Sequence, residues 1–275
     1  MCKKDFSSCP LINRQYKLQQ NCLFESHFTY FFEVIHLLIK AMNVEKQYLD
    51  GTYLDNNPEW DRQDCLWKAK LVKNVLDEFK IEPRSVCEVG CGTGDLLVHL
   101  KHFYPHYEFT GYDVSPQVKR FWDEHKAEGI YFRCGDFLIL NQQHYDCILL
   151  IDVIEHLSNP FNFLDTIQEN AKYFIFHFPL DLSASTVLRE KPLLNARQKV
   201  GHVHYFTKGL VLALLREAGF NIMHYRYTNA FLNSPHRNLR TRLAALPRRL
   251  LYFLHKDFGI RLLGGETLIV LAKTN

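Results

Sequence analysis

The sequence predicts an α/β fold. A doubly wound, mostly parallel seven-stranded sheet with the last strand antiparallel is joined by a helical N-terminal extension and a helical insertion before the last strand. Two observations predict it. From Ser85 to Gly219, short apolar runs alternate with amphipathic runs at helical spacing, the pattern of a parallel sheet with helices on both faces. The two final apolar runs need only a hairpin between them, which makes the last strand antiparallel.

The elements follow in order. Residues 1–45 read as irregular, then helix-like from about Phe24. Asn56–Phe79 is a polar turn and an amphipathic helix, with Trp67, Leu71, Val75 and Leu76 at helical spacing. Strands are expected at Ser85–Gly90, Tyr107–Val114, Ile130–Asp136, Tyr145–Ile154, Lys172–Pro179, Phe220–Thr228 and Glu266–Thr274. Helices are expected at Gly94–Tyr104, at Ser115–Ala127 with Ser115 as N-cap and Pro116 in its first turn, and at Asn159–Ala171. A further helix, Thr207–Gly219, is opened by its threonine and closed by its glycine. Two stretches interrupt the alternation, Leu180–Phe206 and Ala230–Gly265. The expected organisation is an extension over 1–55 and a main domain over 56–275, with 229–265 as the inserted segment.

Composition narrows the class. The chain is 47% hydrophobic and 23% charged, with a net charge of +3, which suits a soluble globular protein and gives no reason to expect nucleic acid. The most apolar early run, Phe28–Met42, contains Glu33 and His36 and is too short to span a bilayer. No secretory signal is expected. Eight cysteines lie at scattered spacings without a CxxC pair, so buried reduced thiols of a cytoplasmic protein are expected rather than zinc or disulfides.

The stretch "CEVGCGTG" carries the chemistry. Gly90, Gly92 and Gly94 follow the first strand and let backbone approach a ligand at the carboxyl end of the sheet. A dinucleotide loop would place a third glycine at position 95, but Asp95 stands there, which repels a pyrophosphate and suits an ammonium group. Glu88 adds a second carboxylate. Asp113 ends the second strand, 19 residues after Gly94, where an acid can accept from both ribose hydroxyls. Asp136 ends the third strand beside Phe137, an aromatic suited to an adenine face. These residues point to a nucleoside bearing an amino acid, the form of S-adenosylmethionine.

The motifs "CEVGCGTG", "GYDVS", "CGDF", "YDCILLIDVIEHL" and "HVHYFTKGLVLALLREAGF" resemble those of class I S-adenosylmethionine-dependent methyltransferases with a Rossmann-like fold. The likeness is specifically to the broad small-molecule group that includes the ubiquinone-biosynthesis O-methyltransferases, and the stretches "NNPEWDRQDCLWKAK" and "RLLGGETLIVLA" resemble a bacterial subgroup. The resemblance spans roughly Trp67–Tyr227 and the last strand. It implies cofactor contacts from Glu88, Gly90, Cys91, Gly92, Asp113, Asp136, Phe137 and Asp152. It also implies methyl transfer to a small or medium metabolite, O-methylation ahead of N- and C-methylation. Some relatives in this group hold a metal in a Glu-Glu-His-like cluster. Here Glu155 and His156 stand side by side with no third ligand in the sequence, so no metal is expected.

The acceptor side is read from fewer residues. His156 and His202 are candidate proton acceptors, with loop support as the alternative role for both. His204 and Tyr205 read as local anchors of the Leu180–Phe206 excursion. The arginine-rich stretch 236–256 reads as a solvated helical face, an anionic-acceptor site or a peripheral membrane contact. The arginines favour an acceptor with an anionic group, such as a nucleotide- or lipid-linked sugar. An RNA or DNA base methyltransferase is the first rival, and the stretch "IDVIEH" after the fourth strand lacks the (D/N/S)PP(Y/F) motif of amino-N enzymes. A non-catalytic cofactor-binding protein is the second rival. A nicotinamide dehydrogenase is disfavoured by Asp95.

Overall fold

The computed structural model describes residues 46–125, 127–233, 249 and 251–274. Seven strands form one sheet: β1 Ser85–Val89, β2 Glu108–Asp113, β3 Ile130–Cys134, β4 Tyr145–Ile151, β5 Ala171–Leu180, β6 Asn221–Tyr227 and β7 Glu266–Lys273. Their order is β3-β2-β1-β4-β5-β7-β6. The first five pair in parallel, and β7 runs antiparallel between β5 and β6. The seven expected strands therefore stand; six fall short of the expected bounds by one to three residues, and β5 is one residue longer at each end. The insertion of β7 between β5 and β6 was not legible from the pattern.

Side-chain alternation explains why the sheet is buried on both faces. Ile148, Leu150, Phe174, Phe176, Phe178, Leu268 and Val270 join one apolar cluster, whereas Cys147, Leu149, Ile151, Ile175, Ile269 and Leu271 join the other. A period of two sends neighbours to opposite faces. The first cluster is covered by helices α3 Pro160–Ile167 and α6 Lys208–Glu217, and the second by α1 Arg62–Glu78 and α2 Asp95–Phe103. Between β5 and α6 lie α4 Ala184–Arg189 and α5 Lys191–Lys199, and α7 Lys256–Leu263 precedes β7.

Local signals behave as their chemistry requires. The Thr207 side chain accepts from Leu210 N–H at the start of α6, and Gly219 ends it with φ +86°. The helix expected over Ser115–Ala127 is shorter. A turn at Pro116–Val118 leads into Lys119–Trp122, and Ser115 makes no side-chain cap. Trp122 instead stacks on Phe132 and donates its indole N–H to Gly92 O at 2.9 Å, a tertiary tie that prevails over continued helix. The helix-like run Phe28–Met42 lies outside the described residues, as do Arg237, Arg240, Arg242, Pro247 and Arg248 of the insertion.

Strand order reverses between β1 and β4: β2 and β3 lie on one side, β5 on the other. In an open α/β sheet this is the crevice where ligands bind, beyond the carboxyl ends of the strands.

Candidate active site

A cavity of about 600 Å³ opens at this reversal point. Its walls include all eight residues expected to contact the cofactor: Glu88, Gly90, Cys91, Gly92, Asp113, Asp136, Phe137 and Asp152. His156 and His202 line it as well. The fold thus gathers residues from five separate stretches of sequence.

The glycine loop is shaped by close approach. A Cβ on Gly92 would stand 2.8 Å from the Trp60 ring, and one on Gly94 would stand 2.5 Å from Phe132. Both have positive φ, +50° and +81°, which only glycine adopts without strain. Asp113 holds this loop from β2. Its Oδ2 accepts from Gly92 N–H and its Oδ1 from Ser115 N–H, each at 2.8 Å. A carboxylate has about four lone-pair sites, so two remain for ligand hydroxyls. Burial pushes its pKa up to about 6, partly countered by the two backbone N–H groups.

The cavity is acidic. Asp61, Asp64, Glu88, Asp113, Asp136, Asp152 and Glu155 line it, and Lys68 is the single Lys or Arg among the described residues that do. Glu88 is 3% exposed, and burial pushes its pKa well above the usual carboxylate range. Asp152 has a positive φ of +55°, rare for a non-glycine residue. Its Oδ2 pairs with Lys68 Nζ at 2.8 Å, and its Oδ1 accepts from His177 Nδ1 at 2.6 Å. Burial opposes its charge, and His177 and Lys68 together overcome that and hold the pKa low. Burial likewise opposes the Lys68 ammonium, and the Asp152 carboxylate more than offsets it. His177 is buried and was not legible as a site residue; its Nε2 meets Thr267 Oγ1 at 2.8 Å.

Two expectations change in detail. Asp95 does not line the cavity; it forms a two-pronged pair with Arg62, at 2.9 and 3.1 Å, which ties α1 to α2. Its charge is spent on helix packing rather than on a ligand's ammonium. Phe137 lines the cavity but is 2% exposed and packs edge-to-face on Tyr112. The neighbouring Leu138 is more open and also lines the wall. Asp136 caps the short helix Phe137–Leu140 by accepting from Leu138 N–H at 2.8 Å.

An aromatic cover that no sequence pattern marks completes the cavity. Tyr48, Tyr53 and Trp60 line the cavity and pack in series, with ring centroids 5.0 and 4.6 Å apart. Tyr48 and Tyr53 belong to the stretch read as the 1–55 extension. No periodicity marks such residues, since they meet the site only through the tertiary fold.

The same cavity holds a cluster of three donors. Glu155, His156 and His202 each offer a ligand atom, all within 4.8 Å of one another. Glu155 is fully buried, and neither of its carboxyl oxygens has a hydrogen-bond partner; burial, then the nearby Asp152, pushes its pKa well up. His202 Nδ1 donates to Asp181 Oδ2 at 2.6 Å, and His156 Nδ1 lies 2.8 Å from Tyr48 Oη and 3.2 Å from Gly201 O. The Nδ1–H to Asp181 leaves His202 Nε2 as an acceptor in that tautomer, and a proton on His156 Nδ1, donated to Gly201 O, does the same there. Burial, then the neighbouring His202, lowers the His156 pKa to about 4, so it is neutral. The sequence offered only Glu155 and His156 as ligands; the fold brings in His202 across 46 residues. An orphaned buried carboxyl group with two imidazoles, one of them backed by a carboxylate, fits a divalent cation chemically. His204 and Tyr205, expected as anchors, bond Leu157 O and Leu193 O, both at 2.9 Å.

Residues 60–225 match the family model described as "Methyltransferase domain". The chain belongs to this family. Its methyltransferase domain is 30% identical over 104 residues to norajmaline N-methyltransferase of Rauvolfia serpentina, covering 35% of each protein. It is 32% identical over 73 residues to demethylmenaquinone methyltransferase of Thermotoga maritima, covering 26% of this chain and 30% of that one. The matches thus span about a third of the length of these relatives. In three dimensions it is similar to the plantazolicin methyltransferase BpumL in complex with SAH, with TM-score 0.57, 14% identity, and coverage of 88% of this chain and 98% of that one. It is also similar to magnesium protoporphyrin IX methyltransferase of Synechocystis PCC 6803 with bound SAH, with TM-score 0.52, 16% identity, and coverage of 76% and 83%. The fold is that of Rossmann-like methyltransferases.

Proposed function

We propose that the chain binds S-adenosylmethionine in this cavity and transfers its methyl group to a small or medium metabolite. The observation that carries the reading is the cavity's charge pattern: many carboxylates, one lysine, and a buried aspartate pinned at the end of β2. The ligand has two cationic centres, a sulfonium and an ammonium, one carboxylate and a ribose diol. Asp113 would accept from the diol, the acidic wall would favour the cations, and Lys68 would hold the carboxylate while keeping its pair with Asp152.

The bound cofactor supplies an already activated methyl group, so the protein's task is alignment, exclusion of water and proton removal. His202, oriented by Asp181, and His156 present Nε2 atoms toward the cavity, and either can take a proton from a hydroxyl acceptor. Where a divalent cation is held, Glu155, His156 and His202 would be its ligands, and it would lower the pKa of a coordinated hydroxyl. O-methylation remains the preferred chemistry, within the small-molecule group that includes the ubiquinone-biosynthesis enzymes and its bacterial subgroup. The named relatives include an N-methyltransferase and a "Malonyl-[acyl-carrier protein] O-methyltransferase" of Anoxybacillus flavithermus, a spread that leaves the acceptor atom to experiment. We keep 56–275 as the catalytic domain, 229–265 as acceptor-binding, and an acceptor with an anionic group.

The test is methyl transfer from labelled S-adenosylmethionine to sets of nucleotide-linked sugars, lipid-linked sugars, neutral sugars and phenols. Turnover confined to the anionic sets supports the reading. Turnover confined to neutral acceptors removes the anionic element, and absence of S-adenosylhomocysteine binding removes the whole.

A further inference from the structure

Two elements outside the catalytic cavity leave large apolar side chains in solvent. On α4, Val187 and Leu188 are 54% and 87% exposed; on and just before α7, Phe253, Leu254 and Phe258 are 88%, 68% and 55% exposed. The two elements are neighbours. Ser185 Oγ donates to Leu263 O at 3.2 Å, and a Cβ on Gly264 would meet Ser183 Oγ at 2.8 Å. Single exposed apolar residues are ordinary, but aromatic and aliphatic residues gathered on adjoining elements mark an interaction surface.

Charge identifies the occupant. Residues 184–189 and 249–263 together hold four Lys or Arg against one acid, and α5, next along the chain from α4, adds Lys191, Arg197 and Lys199. The whole chain carries a net charge of only +3, so positive charge is concentrated on these elements. The intervening sequence 234–248 adds four arginines and no acid. Arg189, Lys191, Arg249 and Arg261 are exposed. Exposed Phe and Leu among Lys and Arg is the chemistry of an element lying in the headgroup region of an anionic bilayer. No described helix is long and apolar enough to cross a membrane, so contact would be peripheral. The same elements lead into the cavity: Val200 and His202 follow α5 directly and form part of its wall.

We propose that α4 and the 249–263 segment dock the protein on an anionic lipid surface, presenting the cavity to an acceptor carried in that surface. The docking stands on the exposed residues alone, and the lipid-borne acceptor rests on the methyltransferase reading above. The test is flotation of the full chain with vesicles of equal parts phosphatidylcholine and phosphatidylglycerol, against vesicles of phosphatidylcholine alone. Wild type should float with the anionic vesicles and release at high salt. Phe253→Ser with Phe258→Ser should bind about tenfold more weakly or worse, and Arg189→Glu with Arg261→Glu should erase the preference for phosphatidylglycerol. Unchanged melting temperature and S-adenosylhomocysteine affinity in both variants would show that the fold and cavity survive, and Phe253→Trp should retain binding. Failure of wild type to float, or unchanged flotation of the serine variant, overturns the proposal. So does a wild-type dimer by light scattering that becomes monomeric in the serine variant, since the occupant is then a second copy. Flotation without any S-adenosylhomocysteine binding would keep the docking and remove the methyltransferase reading.

Discussion

Replacing Asp113 with alanine should cripple cofactor binding at a calculable scale. In the free protein the carboxylate accepts from Gly92 N–H and Ser115 N–H at 2.8 Å. Two further acceptor positions face the ribose hydroxyls in the proposed complex. Hydrogen bonds to a charged group contribute roughly 1.5–3 kcal/mol each, so losing two costs about 3–6 kcal/mol, a factor of about a hundred or more in affinity. Releasing two buried backbone N–H groups also loosens the glycine loop, and the melting temperature should fall. Titration calorimetry with S-adenosylhomocysteine and with 5′-methylthioadenosine reads the binding loss, which should be equal for both because both carry the ribose. The wild-type pH profile gives an independent check. Burial lifts the Asp113 pKa to about 6, and only the ionised carboxylate accepts from both hydroxyls. Affinity should be full above that pH and weaken as pH falls through it, by up to about tenfold per unit. An alanine variant within about threefold of wild type, a change of roughly 0.6 kcal/mol, would refute the ribose assignment.

Other outcomes follow from the same cavity. Lys68→Ala should weaken S-adenosylhomocysteine by about tenfold or more while leaving 5′-methylthioadenosine unchanged, since the latter lacks the amino-acid end; equal losses would place Lys68 elsewhere. Dialysis against a chelator should leave S-adenosylhomocysteine affinity intact, because the cofactor contacts proposed above do not include Glu155, His156 or His202; a drop in calorimetric affinity that magnesium restores would contradict this. A chain beginning at Met42 should melt and bind as the full chain does, since it keeps Tyr48, Tyr53 and Trp60; a chain beginning at Asn56 loses two of these and should bind more weakly. Insolubility or a much lower melting temperature of the Met42 chain would show that residues before it support the fold.

The strands, most helices and the identity of the glycine loop were legible in the sequence, because each rests on short-range chemistry. Short, nearly continuous apolar runs define strands buried on both faces, and Thr207 opens and Gly219 closes α6 through contacts within a few residues. That Gly90, Gly92, Asp113 and Asp152 line the cavity was readable for a related reason: a parallel sheet places the ends of its strands at one edge, beside the crevice. Tertiary structure decided what depends on partners distant in sequence. Asp95 has the same local setting whether it meets a ligand or Arg62, and only the packing of α1 on α2 settles it. Lys68, His177 and the Tyr48–Tyr53–Trp60 cover carry no local signature, since a lysine on a helix or a histidine in a strand acquires its role from what the fold sets opposite it. His202 joins Glu155 and His156 only because Val203 and His204 N–H both bond Glu155 O, at 2.9 and 3.1 Å. That contact closes a loop of nearly fifty residues, and the energy that closes it is spread over the whole excursion rather than written in any one motif.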